Sequence, residues 1–248
     1  MNLELWSNRG NILFIQIDIA KGLSGLPPDL FRLLQCKDNR LIGSSLQTFV
    51  DSAKEGLLDQ LIRLEGGSKE DVRSVKLYSF SPETKINTEP YSRFCRDGDF
   101  GLILSSTSHR NHLGCVSFDI IDETARKRLY CIPSQCLPLN IPIITQIQGT
   151  TYGERPKEKI FPGFIWTNVL VQLISAWALN QGFPSILSVP AELHKDYPLF
   201  DEEEKERFVM HYDVTVRRCG FRRNAGTENS PWFKPLIYPG FLPDANPF

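Results

Sequence analysis

The chain has 248 residues, 41% of them apolar, and a formal net charge of -1. That is enough for one large domain whose core needs neither disulfides nor metal, and the near-neutral balance argues against a general basic surface for nucleic acid. No apolar run reaches the roughly 20 residues of a membrane span, Met1–Gly10 lacks the apolar stretch of an export signal, and six cysteines in such a chain read as reduced thiols in the cytoplasm.

Asn11 to Ile19 is rich in β-formers and predicts a first strand. Pro28 predicts the start of a short helix through Gln35. Ser44-Ser45 offers an N-cap for a helix from Leu46 to Leu64, whose apolar residues recur at steps of three and four and which Gly66-Gly67 stops. Val75 to Phe80 predicts a strand, and the polar stretch Ser81 to Asp99, interrupted by Pro82 and Pro90, an exposed insertion. Gly101 to Ser105 and Leu113 to Ile121 predict a hairpin across Thr107 to Asn111, and Leu129 to Ile132 and Ile141 to Gln148 continue the strand pattern. A charged loop, Gly149 to Pro162, leads into a long apolar helix, Gly163 to Gln181, and then a short strand, Ser185 to Val189. A last helix opens near Asp201-Glu202-Glu203-Glu204, closes on Arg217-Arg218-Cys219-Gly220-Phe221, and is followed by a strand at Trp232 to Ile237. This order predicts an α/β (α+β) protein with a single mixed, mostly antiparallel sheet flanked by helices. It forms one domain over 1–237, with an insertion at 81–99 and a Pro- and aromatic-rich tail, Tyr238 to Phe248.

Two helices after the first strand, three or four antiparallel strands, and then strand, helix, strand and a helix ending in Gly220-Phe221 resemble the GNAT superfamily of N-acetyltransferases. The likeness covers most of the chain loosely and is tightest from Ile141 to Phe221. It implies acetyl-CoA or another acyl-CoA as cofactor and an amine as acyl acceptor. Members of that family hold the CoA pyrophosphate on backbone N–H groups in a loop that opens a helix, where orphan donors and the positive dipole end favour an anion. The resemblance places that loop between Gly149 and Gly163, so Gln148, Gly149, Arg155, Lys157, Lys159 and Gly163 are the candidate cofactor contacts. The family's glycine-spaced Arg/Gln-x-x-Gly-x-Gly pattern is missing, Glu154 and Glu158 interleave the bases, and Phe164, Ile165 and Trp166 put bulk into the first helical turn.

Family members often carry a Glu on the fourth strand to deprotonate the amine and a Tyr early on the last helix to protonate the leaving thiolate. Ile141 to Gly149 has no carboxylate, and Gln146 is the candidate there to orient a water or bind substrate. The family's tyrosine position, four residues before the glycine of Gly-Phe, is Val216. Tyr212, one turn earlier on the same face, is the candidate acid. The ordinary alternative for Tyr212 is a half-buried tyrosine at a helix–sheet seam.

The resemblance leaves two readings. One is an acyl-CoA-dependent N-acyltransferase. The other is a catalytically inactive relative that serves as a protein–protein interaction subunit of a larger complex. Its candidate partner surfaces are the tail Tyr238–Phe248 and the cluster Arg217, Arg218, Arg222 and Arg223. An unrelated α/β binding domain is a third possibility, because fold does not fix function. His109-x-x-His112-x-x-Cys115 has metal-like spacing, but a turn entering a strand sends those side chains to alternating faces, so no metal site is expected. Cys219 reads as a small buried residue.

Overall fold

A computed structural model describes residues 3–6, 12–15, 39–85, 97–107, 112–149, 164–223 and 229–236. Strands β1 (Leu3–Trp6) and β2 (Ile12–Ile15) form an antiparallel pair of their own. The described part of the expected first strand, Asn11 to Ile19, is β2, which stands outside the main sheet. The helix expected at Pro28 to Gln35 lies outside the described residues.

The expected helix at Leu46 to Leu64 is two helices, α1 (Asn39–Ala53) and α2 (Leu57–Leu64). The periodic residues Ile42, Leu46, Phe49, Val50 and Ala53 are buried along α1, but Gly56, at φ -174° and ψ -45°, breaks the run. Ser44 and Ser45 are not caps; they lie inside α1, where the Ser45 hydroxyl accepts the Trp177 indole N–H at 3.2 Å. Gly66, at φ 97°, ends α2 as expected, and the Gly67 N–H returns to the Ile62 carbonyl at 2.8 Å. A short α3 (Lys69–Arg73) follows, opened by a reciprocal cap between Ser68 and Asp71.

Strands β3 (Val75–Phe80), β4 (Phe100–Ser106), β5 (His112–Ile120), β6 (Pro142–Gly149), β7 (Ser185–Ser188) and β8 (Trp232–Pro235) form one sheet in that spatial order. All neighbours pair antiparallel except β6 and β7. Helix α4 (Pro82–Lys85) follows β3 within the expected insertion. The chain is thus a mixed α/β protein with a single six-stranded, mostly antiparallel sheet flanked by helices. Among the described residues, no helix is long and apolar enough to cross a membrane.

Leu129 to Ile132 is not a strand. Asp122 caps α5 (Glu123–Arg128) by accepting the Ala125 N–H at 2.7 Å, and the chain then turns. Arg126 donates twice to the Leu137 carbonyl, at 2.9 and 2.6 Å. The apolar residues here anchor a loop: Ile132 and Leu137 pack with Ile143, Leu187 and Val189 on one face of the sheet.

The larger core lies on the other face. It gathers α1, α2 and α6 (Trp166–Asn180) over Leu77, Leu102, Leu104, Val116, Phe118, Ile144 and Ile147. Trp177 sits at its centre, with ring centroids 5.0 Å from Phe118 and 5.6 Å from Phe183. The last helix runs from α7 (Glu202–Val209) through a π turn (Met210–Val214) into α8 (Thr215–Arg218), and Gly220, at φ 88°, turns the chain away. Asp201 caps it, as its acidic start suggests. Cys219 is buried, and its thiol faces the Asn168 carbonyl at 3.7 Å.

Candidate functional site

Strands β6 and β7 pair only at Ile143–Leu187 and Ile144–Ser188, and the last bond between them runs from the Val189 N–H to the Ile144 carbonyl at 2.9 Å. Pro190, which has no N–H, then leads the chain off into a 3-10 turn, Ala191–Leu193, while β6 runs on to Gly149. The register against β5 jumps from Ser117–Gln146 to Phe118–Ile144, which leaves Thr145 as an extra residue on β6. A bulge of this kind bends a strand and re-aims its side chains. The result is a gap at the carboxyl ends of two parallel strands, the position where open sheets with such strands commonly bind ligands.

The π turn sends two consecutive side chains, Tyr212 and Asp213, into the protein. Tyr212 is 2% exposed, and its ring stacks on Phe208 at 4.3 Å. The phenol shares a hydrogen bond with the backbone of Ile147, so it reaches the β6 edge in the gap. Burial, with the nearby charges of Asp97 and Asp196, pushes the phenol well above its ordinary titration range, against the opposing effect of the Ile147 bond. Asp213 holds the turn in place. It accepts the Ala191 N–H at 3.0 Å and the Trp232 indole N–H at 2.8 Å, and burial raises its carboxyl.

Ile147 faces the α6 side, so Gln146 and Gln148 face the other. Gln146 is buried, accepts from the Ser117 hydroxyl at 3.3 Å and donates to the Gln148 carbonyl oxygen. Tyr212 thus reaches the β6 backbone at Ile147 and belongs to the core on the α6 side, whereas Gln146 and Gln148 lie on the opposite face of the strand. Gly149 stands under Trp166: a Cβ there would lie 3.4 Å from the indole, and one on the facing Gly114 would come within 2.3 Å. The glycine pair makes room for that ring. Arg155, Lys157, Lys159 and Gly163 lie outside the described residues, as do His109 and the tail Tyr238–Phe248. In the arginine cluster, Arg223 pairs with Glu192 and donates to the Ser230 carbonyl at 3.1 Å, while Arg217, Arg218 and Arg222 are exposed.

A second group at the gap is absent from the sequence expectations. His194 is 8% exposed, with its ring 5.5 Å from that of Tyr212 and 5.0 Å from that of Phe208. Its Nε2 faces Asp97 Oδ2 at 3.4 Å, and its Nδ1 accepts from the Asp196 N–H at 3.4 Å with Asp196 Oδ2 at 3.8 Å. Asp97 also pairs with Lys195. One ligand atom from each of Asp97, His194 and Asp196 lies within 4.8 Å of the others, a grouping that could hold a cation, but the Lys195 ammonium already pairs with Asp97, and Asp97 and His194 form a hydrogen-bonded dyad.

Asp97 is placed by its neighbours. A Cβ on Gly98 would lie 2.7 Å from Thr145 Oγ1 and 2.8 Å from the Phe118 nitrogen, so Gly98 crosses directly over the bulge. Beyond it, the Asp99 N–H donates to Asp119 at 2.7 Å, and Arg128 bridges Asp99 and Asp119. Burial alone would raise the Asp97 carboxyl, but the His194 and Lys195 partners win and hold it at about 2, below its ordinary 3.8. A depressed carboxyl stabilises the fold above its unfolded value and loses that contribution as pH falls through the folded one. Asp97→Asn is expected to flatten the loss of stability between about pH 4 and pH 2. Urea titrations at pH 2, 3, 4 and 6 check this, and an unchanged acid limb would sink the assignment.

No protein-family model, no curated protein and no solved structure matches this chain.

Proposed function

We propose that the protein is a GNAT-like acyl-CoA-dependent N-acyltransferase, with the β6–β7 gap as the seat of the acyl-CoA. The observation that carries this reading is the placement of Tyr212: the strands part after Ile144, and a buried phenol from the last helix reaches the Ile147 backbone in the opening. In this reading the pantetheine arm lies along the β6 edge past Thr145 and hydrogen-bonds its backbone. A backbone N–H there stabilises the oxyanion that forms as the amine adds to the thioester carbonyl. The amine lone pair makes the C–N bond, the C–S bond breaks, and the departing thiolate takes a proton from Tyr212. A phenol kept protonated by burial suits that role. Gln146 and Gln148 lie on the opposite face of β6. Residues in the Gly149–Gly163 loop, Arg155, Lys157 and Lys159 among them, are proposed to meet the CoA phosphates.

One observation favours the second reading, an inactive GNAT-like interaction module. Trp166, at the first turn of α6, covers the Gly114–Gly149 pair and takes up space beside the helix mouth. Its partner would dock on the tail or the exposed arginines.

Calorimetric titration with acetyl-CoA separates the two. The enzyme reading expects a one-to-one complex with a dissociation constant at or below about 100 µM, within the range usual for enzyme substrates. Heats indistinguishable from dilution at millimolar acetyl-CoA would remove it and leave the interaction module.

A further inference from the structure

We propose that His194, oriented by Asp97, accepts the proton of the incoming amine, and that Asp196 draws an alkylammonium acceptor to it. This rests on the acyl-transfer reading above and supplies the base that β6 lacks. The carboxylate on Nε2 fixes the imidazole proton on that nitrogen and leaves the Nδ1 lone pair as acceptor. Both contacts are 3.4 Å, but the one on Nε2 is to a carboxylate and the one on Nδ1 is to the neutral Asp196 N–H, which is the weaker and yields to a charged donor. The Asp196 side chain stands beside Nδ1 and is 45% exposed, so that side of the imidazole carries a negative charge. The charged and titratable groups around the ring are Asp97 from the segment before β4, Lys195 and Asp196 from its own loop, and Tyr212 from the π turn; α7 contributes the Phe208 ring.

The protons balance. An alkylammonium gives one proton to Nδ1 and attacks as the neutral amine. The C–N bond forms, the C–S bond breaks, and the thiolate takes the Tyr212 proton. The second proton of the nitrogen, released as the amide forms, restores Tyr212. The proton on His194 passes to solvent.

The test compares two acceptors with acetyl-CoA at pH 7: butylamine, an ammonium ion there, and aniline, already neutral. His194→Gln is expected to lower kcat on butylamine about 100-fold and on aniline less than about threefold, with acetyl-CoA affinity unchanged. Asp97→Asn is expected to show the same selectivity more weakly, and it carries the comparison if the glutamine variant does not fold by thermal melting. Equal losses on both amines, or acetyl-CoA binding with transfer to neither, would overturn the role of the dyad and leave the acyl-CoA site standing. Absence of acetyl-CoA binding by the unaltered protein removes the acyl-transfer reading itself.

Discussion

Replacing Trp177 with alanine is expected to lower the free energy of unfolding by about 3–5 kcal/mol. Trp177 is 0% exposed and joins three layers: its ring meets Phe118 on the sheet and Phe183 after α6, and its indole N–H reaches Ser45 on α1. Truncation removes the transfer energy of a large aromatic and leaves a cavity between elements that cannot close over it, because α1 and the sheet are fixed by their own neighbours. It also strands one hydrogen-bonding partner, worth about 1 kcal/mol. Urea denaturation at neutral pH reads the change. A loss under about 1 kcal/mol would mean that α6 does not lie packed across the sheet.

Tyr212→Phe is expected to cut kcat for acyl transfer by about 100-fold or more, with acetyl-CoA affinity changed less than about twofold. Phenylalanine keeps the stack on Phe208 and the contact with His194, so the fold loses only the bond at Ile147, about 1 kcal/mol. The split between kcat and affinity is the informative quantity. A group that only fills the gap would change binding or stability and spare kcat, whereas an acid to the thiolate acts after the donor is bound. Full turnover in the phenylalanine variant would end the acid role.

Much of the architecture was legible in the residues because the signals were local. Gly66-Gly67 and Gly220 punctuate helices, the apolar face of α6 has no other home than a core, and Asp201 to Glu204 marks a helix start. The failures came where tertiary context decided. The periodic run through Leu64 gave no sign that Gly56 would split it. Leu129 to Ile132 has strand-like composition, yet the Asp122 cap and the Arg126 bonds to Leu137 make it a helix end and a turn. The site was legible only in part. Tyr212, Gln146 and Gln148 were singled out: Tyr212 reaches the β6 backbone at Ile147, while Gln146 and Gln148 bond to each other on the opposite face of that strand. Neither the parting of β6 from β7 after Ile144 nor the bulge at Thr145 is announced by a residue type. The dyad was invisible because its members lie far apart in the chain: Lys195, the neighbour of His194, and Asp97 are 98 residues apart, and Gly98 crosses over the bulge where Asp97 meets them.

The central claim is that acyl-CoA enters between β6 and β7. Amide hydrogen exchange of the protein with and without saturating acetyl-CoA, resolved to residues 145–149, tests it most directly. Those amides are expected to exchange several-fold more slowly in the complex, apart from that of Ile147, which the buried Tyr212 phenol already holds. Bound acetyl-CoA that leaves them unchanged while protecting another part of the chain would contradict it.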